Sequence, residues 1–292
     1  MKVVFRNGKG TKTMWLAGML LLSSVFIFLL VLYLAQDKMI FHNADDSESR
    51  AFFRDQKEYE DIEFTASNGK TYHGLLYRTQ EDNVPLIIYF GGNGECSYRH
   101  MRARCISKTW SYFAGSNFLF VDYEGYGLNQ GKASYLNMYE ESLAVYDYAV
   151  NLPGIDNRRI VSMGYSIGTG CAVYLAAHRE VIGLVLVSPY YQGSDLYNRM
   201  VPIFYGPMNL LVKQKFPSFE YAKKVSAPTQ IIASRADEMI PIASSERLKE
   251  HFAGSVTFTM LDYPTHNEIM INDKTLDTIQ VFLEEIFKSC NP

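Results

Sequence analysis

Acidic residues are absent from the first 36 positions of this 292-residue chain, and charge of either sign is absent from residues 14–35. Cysteine is sparse: Cys96, Cys105, Cys171 and Cys290 show no C-x-x-C spacing, which excludes a cysteine-stapled scaffold and leaves no structural zinc motif. With 20 Gly, 10 Pro and 48% hydrophobic residues, the composition excludes collagen, mucin-like stalks and wholesale disorder. There is no repeat at a period of 20–50 residues, no low-complexity tract and no basic stripe interleaved with aromatics. Nucleic-acid binding is disfavoured further by charge. Four of the 28 basic residues, Lys2, Arg6, Lys9 and Lys12, precede the first acid, Asp37, so the rest of the chain carries −7 and repels phosphate backbones.

The uncharged stretch at 14–35 reads MWLAGMLLLSSVFIFLLVLYLA. As a helix its 22 residues span about 33 Å, enough to cross a bilayer. A cleaved signal peptide has a shorter apolar core, about 7–15 residues, and a small-x-small site that Tyr33-Leu34-Ala35 fits poorly. The expectation is therefore an uncleaved signal anchor. By the positive-inside rule the basic segment 1–13 stays cytoplasmic and the remainder lies across the membrane, in bacteria on the periplasmic or extracytoplasmic side. Residues 36–58 are polar and read as a tether. Residues 59–292 read as the folded domain.

In that domain strand and helix signals alternate. Asn68-Gly69 marks a hairpin turn between strands near 61–66 and 72–78. The run PLIIYF at 85–90 leads into Gly91-Gly92-Asn93-Gly94, and NFLFV at 117–121 is a second buried strand. Helices are expected at 96–110, 135–150, 167–177, 242–251 and 274–288, with further strands at 159–163, 182–187, 229–233 and 256–261. Residues 189–222, rich in Tyr, Met and Phe, break this rhythm and read as a small cap insertion. The alternation predicts a mostly parallel eight-stranded sheet covered on both faces, with an antiparallel hairpin at its start. Ligands then bind at the carboxyl ends of the strands.

The unusual residues fall there. Gly164-Tyr165-Ser166-Ile167-Gly168 is G-x-S-x-G between a strand and a helix, where a strained turn exposes the serine Oγ and the glycines remove clashing side chains. A serine needs a base, and the base a carboxylate, in the chain order Ser, acid, His. His266 lies in a loop before the last helix, whereas His251 ends an apparent surface helix; Asp237 follows a strand directly, with Glu238 and Asp195 as its competitors. The oxyanion donors are expected at the backbone N–H groups of Ile167 and Asn93.

With these motifs placed, the sequence resembles the α/β-hydrolase superfamily, in particular small membrane-tethered serine hydrolases, over residues 60–289. Asp122-Tyr123-Glu124-Gly125-Tyr126-Gly127 matches the family's D-Y-R-G-Y/F-G segment, Asp237-Glu238-Met239-Ile240-Pro241 its acid loop, and His266-Asn267-Glu268 its last loop. Three positions depart from it. Gly91-Gly92 replaces a His-Gly pair that braces the oxyanion loop, Glu124 replaces Arg, and Ser234 replaces Gly. Glu124 is expected to be a solvated loop carboxylate.

The resemblance implies an ester- or thioester-cleaving serine hydrolase acting on small acyl or lipid substrates, with Ser166, His266 and Asp237 as catalytic residues and no cofactor or metal. Tyr191, Tyr197, Met200, Phe204 and Tyr205 are candidates for an acyl pocket beneath the cap. A serine nucleophile argues against dienelactone-type hydrolases, which use cysteine. The alternatives are an aminopeptidase-like peptidase using the same triad and a non-catalytic membrane-anchored binding protein.

Overall fold

A computed structural model describes residues 8–43, 47–79, 81–113 and 115–290. Lys2 and Arg6 of the expected basic flank lie outside them. Helix α1 (Gly8–Ile40) is followed by the short α2 (Ser47–Phe52). The sheet opens with β1 (Tyr59–Thr65) and β2 (Thr71–Tyr77), paired antiparallel about the Asn68-Gly69 turn, where Gly69 takes φ +79°. Then come β3 (Val84–Phe90), α3 (Ser97–Ser107), β4 (Asn117–Val121), α4 (Tyr135–Ala149), β5 (Ile155–Tyr165), α5 (Gly168–His178) and β6 (Gly183–Val187). Cap helices α6 (Gly193–Met200) and α7 (Ser218–Ala222) precede β7 (Thr229–Ser234), α8 (Ile242–Lys249), β8 (Val256–Leu261) and α9 (Asp273–Ser289).

The eight strands run in the order β1-β2-β4-β3-β5-β6-β7-β8, with only β2 antiparallel to its neighbours. Every residue of β3, β4, β6 and β7 is buried, as expected for strands covered on both faces. Successive side chains supply opposite layers: Leu86, Ile88 and Phe90 pack with α4 and α5, while Ile87 and Tyr89 pack with α3 and α9. Helix starts are secured locally, as where the Ser134 hydroxyl accepts the Asn137 N–H at 3.2 Å ahead of α4.

The expected elements are present with modest changes of boundary. The strand expected at 159–163 extends to Ile155–Tyr165, and α3 stops at Ser107 because Lys108 turns left-handed at φ +58°. The segment read as a tether is partly structured: α1 continues to Ile40, and Gln36, Asp37 and Ile40 are buried against the body. Because β4 lies on one side of β3 and β5 on the other, the chain reverses its winding at β3. The crevice this opens lies at the carboxyl ends of β3 and β5.

Candidate active site

Ser166 directly follows β5 at φ +51°, a left-handed conformation that a non-glycine residue adopts at a cost of about 1–3 kcal/mol. The strain is held by neighbours: Ser166 N–H donates to Val187 O at 2.9 Å, and Ser166 O accepts from Thr169 N and Oγ1. Both flanking glycines are required by close approach. A Cβ at Gly164 meets Gly168 O and Thr169 Cα at 2.7 Å, and one at Gly168 collides with the carbonyl oxygen of Phe90.

The structure brings three sequence-expected residues into one hydrogen-bonded chain. His266 Nε2 lies 2.8 Å from Ser166 Oγ, and His266 Nδ1 lies 2.8 and 3.0 Å from the two oxygens of Asp237. With Nδ1–H donating to the carboxylate, Nε2 is left as acceptor toward the serine. Asp237 Oδ1 also accepts the N–H groups of Met239 and Ile240 at 2.8 and 2.7 Å. Burial raises the Asp237 carboxyl, but hydrogen bonding and charge from His266, with the Ile240 N–H, outweigh it and hold the group below its ordinary range. The competing acids are engaged otherwise: Glu238 accepts the His266 backbone N–H at 3.1 Å, and Asp195 accepts the Ser244 hydroxyl outside this network. His251 lies away from the serine, with Nδ1 on Arg247 O at 3.0 Å and its ring against Tyr191 and Phe219.

Tyr165, the residue before the nucleophile, has a role the sequence reading missed. Its hydroxyl donates to His266 O at 2.6 Å and its ring stacks on the imidazole at 5.3 Å. A second omission explains how the loop after β3 manages without a histidine. Glu95 Oε2 accepts the Gly92 N–H at 2.7 Å and the Tyr89 hydroxyl at 2.9 Å, and Tyr123 donates to Gly91 O at 2.9 Å. Behind Glu95, His100 Nδ1 lies 3.3 Å from Oε1, while its Nε2 accepts Arg104 Nε at 2.7 Å. Burial raises Glu95, yet its pairing with His100 and the hydrogen bonds from His100, Gly92 and Tyr89 outweigh it and hold the carboxyl below its ordinary range, so it remains an anionic brace. The sequence signal was present in Glu95 three residues after Gly92 and in the i,i+4 pair His100 and Arg104 on α3.

Ser166 and His266, each 7% exposed, face a cavity of about 710 Å³, within the usual range for small-molecule sites. Asn93 and Ile167 line it, and neither backbone N–H has an acceptor among the described residues. The Asn93 side chain is engaged by the Tyr126 hydroxyl at 2.8 Å and by His42 N and Nδ1 at 2.9 and 2.7 Å.

The cap expectation needs correction. Of its five candidates only Met200 lines the cavity. Tyr197 and Phe204 are buried against each other, Tyr191 stacks on Phe219 under Arg247, and Tyr205 is 63% exposed. Leu196, Ile240, Met270 and the α1 residues Met39 and Ile40 line it instead. Glu124 is neither solvated nor in the cavity: it is buried, paired with Lys70 Nζ at 2.6 Å and Asn137 Nδ2 at 3.1 Å. No disulfide joins the cysteines among the described residues. No metal-binding group of three or more His, Cys, Asp or Glu occurs among the described residues.

Comparison with known proteins agrees with this architecture. The dienelactone hydrolase family matches residues 130–268, the stretch carrying the elbow, Asp237 and His266. An uncharacterized protein of Mycobacterium tuberculosis is 31% identical over 228 residues, 77% of this chain and 79% of its own length. The α/β hydrolase domain-containing protein aho-3 of Caenorhabditis elegans is 29% identical over 168 residues, 58% of this chain and 49% of that protein. Among solved structures, the Pyrococcus furiosus esterase Pf2001 superposes with a TM-score of 0.65 at 18% identity, covering 86% of this chain and 96% of the other. The chain belongs to the α/β-hydrolase superfamily. Within it the similarity lies with hydrolases of the dienelactone and esterase type. The match to the dienelactone hydrolase family runs against the expectation drawn from Ser166, which argued against hydrolases of that type.

Proposed function

We propose that the protein is a membrane-anchored serine hydrolase that cleaves carboxylic esters or thioesters of acyl or lipid substrates. The observation carrying this reading is the Ser166–His266–Asp237 chain at a largely apolar cavity, beside two backbone N–H groups without acceptors among the described residues. Ser166 Oγ attacks the acyl carbonyl carbon while His266 Nε2 takes the hydroxyl proton. Asp237 holds the imidazole and stabilises its charged form. The carbonyl oxygen becomes an oxyanion held by Ile167 and Asn93 N–H, each donor worth about 2.7–4 kcal/mol in the transition state. Collapse breaks the bond to the alkoxide or thiolate, which leaves with the proton from His266. Water, deprotonated by the same histidine, then releases the carboxylic acid and restores Ser166. Glu95, reached through Gly92 N–H, positions the loop that carries Asn93.

Helix α1 is long and apolar enough to cross a membrane, and it supplies the anchor in this reading, with residues 1–13 cytoplasmic and the body on the opposite side. The test follows p-nitrophenyl butanoate against an alanine p-nitroanilide with the full chain in detergent micelles. The expected result is a burst of about one p-nitrophenol per chain and then turnover, with the anilide at least about 10²-fold slower. Preferential anilide cleavage identifies a peptidase. No burst and no turnover in folded protein identifies a binding protein on this fold.

A further inference from the structure

Helix α1 does more than end near the body; its last turns enter the cavity that holds Ser166. Met39, Ile40 and, just past the helix, His42 line the same space as Ser166 and His266. This end of the helix is fastened on two sides. On the cap side, Gln36 Nε2 donates to Leu211 O at 2.9 Å, and Lys213 N–H donates to Gln36 Oε1 at 2.7 Å. Asp37 accepts from Lys213 Nζ at 2.6 Å, Gln214 Nε2 at 2.7 Å and Lys132 Nζ at 2.9 Å. On the other side, His42 is tied through N and Nδ1 to the side chain of Asn93, whose N–H is the proposed oxyanion donor. A docking this specific fixes where the apolar stretch stands relative to the nucleophile.

The distance involved is short. Leu34, 64% exposed, is the last large apolar residue of the solvent-facing band, and Ile40 lies six residues beyond it, about 9 Å along the axis. The cap presents Tyr205 and Leu210, 63% and 82% exposed, and Leu210 immediately precedes Leu211, whose carbonyl accepts Gln36. Exposed Tyr and Leu at this level suit a membrane–water interface, where aromatic side chains concentrate. Past the polar clamp of Gln36 and Asp37, apolar side chains resume: Leu34 ends the exposed band, and Met39 and Ile40 line the cavity together with Met200 and Leu196 of α6.

The geometry points to a long-chain acyl ester resident in the bilayer as the substrate, its acyl chain entering the cavity laterally along the end of α1, with Met39 and Ile40 as specificity-determining wall residues. This rests on the serine-hydrolase reading and on α1 as an anchor, and it adds the direction of entry and the residues that select chain length. A water-soluble short ester reaches Ser166 without using this wall. A long acyl chain does not.

The experiment uses the full chain in phosphatidylcholine vesicles with 4-methylumbelliferyl hexadecanoate, which partitions into the bilayer, and the soluble butanoate. Wild type is compared with Ile40→Trp, Met39→Trp and, on the lipid-facing part of α1, Leu22→Trp. The expected result is a hexadecanoate-to-butanoate ratio of kcat/KM that falls at least about tenfold in the wall variants and stays within twofold in Leu22→Trp. If buried Ile40→Trp fails to fold, the half-buried Met39→Trp carries the comparison. An unchanged ratio in the folded wall variants, or a wild type that cleaves butanoate but not hexadecanoate, overturns lateral entry while leaving the hydrolase reading intact. A wild type that cleaves neither ester overturns both.

Discussion

At Ser166 the backbone is held at φ +51° by hydrogen bonds to Val187 and Thr169, so the position of the proposed nucleophile is set before any substrate arrives. The serine and its base act as one unit. Ser166→Ala and His266→Ala are each expected to reduce kcat on a short ester by about 10⁶-fold, and Asp237→Asn by about 10⁴-fold, measured by p-nitrophenyl butanoate hydrolysis with folding checked by circular dichroism. Glu95 acts one step removed, through the loop. Glu95→Ala removes the acceptor of Gly92 N–H and of the Tyr89 hydroxyl. It is expected to lower kcat by about 10–100-fold with KM within about threefold, because a displaced donor is felt mainly in the transition state. A matching rise in KM would instead make Glu95 a binding residue. At this scale the sequence was informative where chemistry restricts residue type: Ser166, Asp237 and His266 stood out by motif and order. It was uninformative where one residue type serves two roles. Tyr and Phe build a core as readily as a pocket, and Tyr197 and Phe204 are core. Glu124 looked solvated because its partners, Lys70 and Asn137, are distant in sequence.

Among the elements, the β5–α5 junction is constrained by close backbone approach. A methyl at Gly168 meets the carbonyls of Phe90 and Gly91, which lead directly into the loop that carries Asn93. Gly168→Ala is therefore expected to cost about 1–3 kcal/mol of stability and up to about 10²-fold in kcat, read by urea denaturation and ester turnover. Loss of stability alone would separate the elbow's packing from the loop's geometry. The strand and helix order was legible because buried strands such as β3 are continuous apolar runs and the helices carry 3.6-residue periodicity. The docking of residues 36–42 was not. Its polar members, Gln36, Asp37 and His42, look like a soluble linker until Lys132, Lys213 and Asn93 arrive from 51 to 177 positions away.

For the whole molecule, buried carboxylates give stability a definite pH dependence. Burial pushes Asp122 up to about 7, against the hydrogen bonds from Ser97 and the Leu128 N–H, and raises Glu141 in the same direction. A carboxyl whose folded pKa lies above its ordinary value of 3.8 contributes stability that is fully present below that value and is lost as pH rises through about 7. The difference in unfolding free energy between wild type and Asp122→Asn is expected to shift against wild type between pH 4 and 7, by at most about 1.4 kcal/mol per pH unit. A difference that does not change with pH would place Asp122 ionised throughout. Charge also bears on placement: α1 and its basic flank predict a chain that stays with membranes after a carbonate wash, its body protected from protease on the cytoplasmic side.

The central claim, that Ser166 is an activated nucleophile, is tested most directly by covalent labelling of the full chain with a fluorophosphonate, followed by mapping of the modified peptide. The account predicts one adduct, on Ser166, formed by wild type and absent from folded Ser166→Ala. Labelling that persists in that variant, or none in folded wild type, would contradict it.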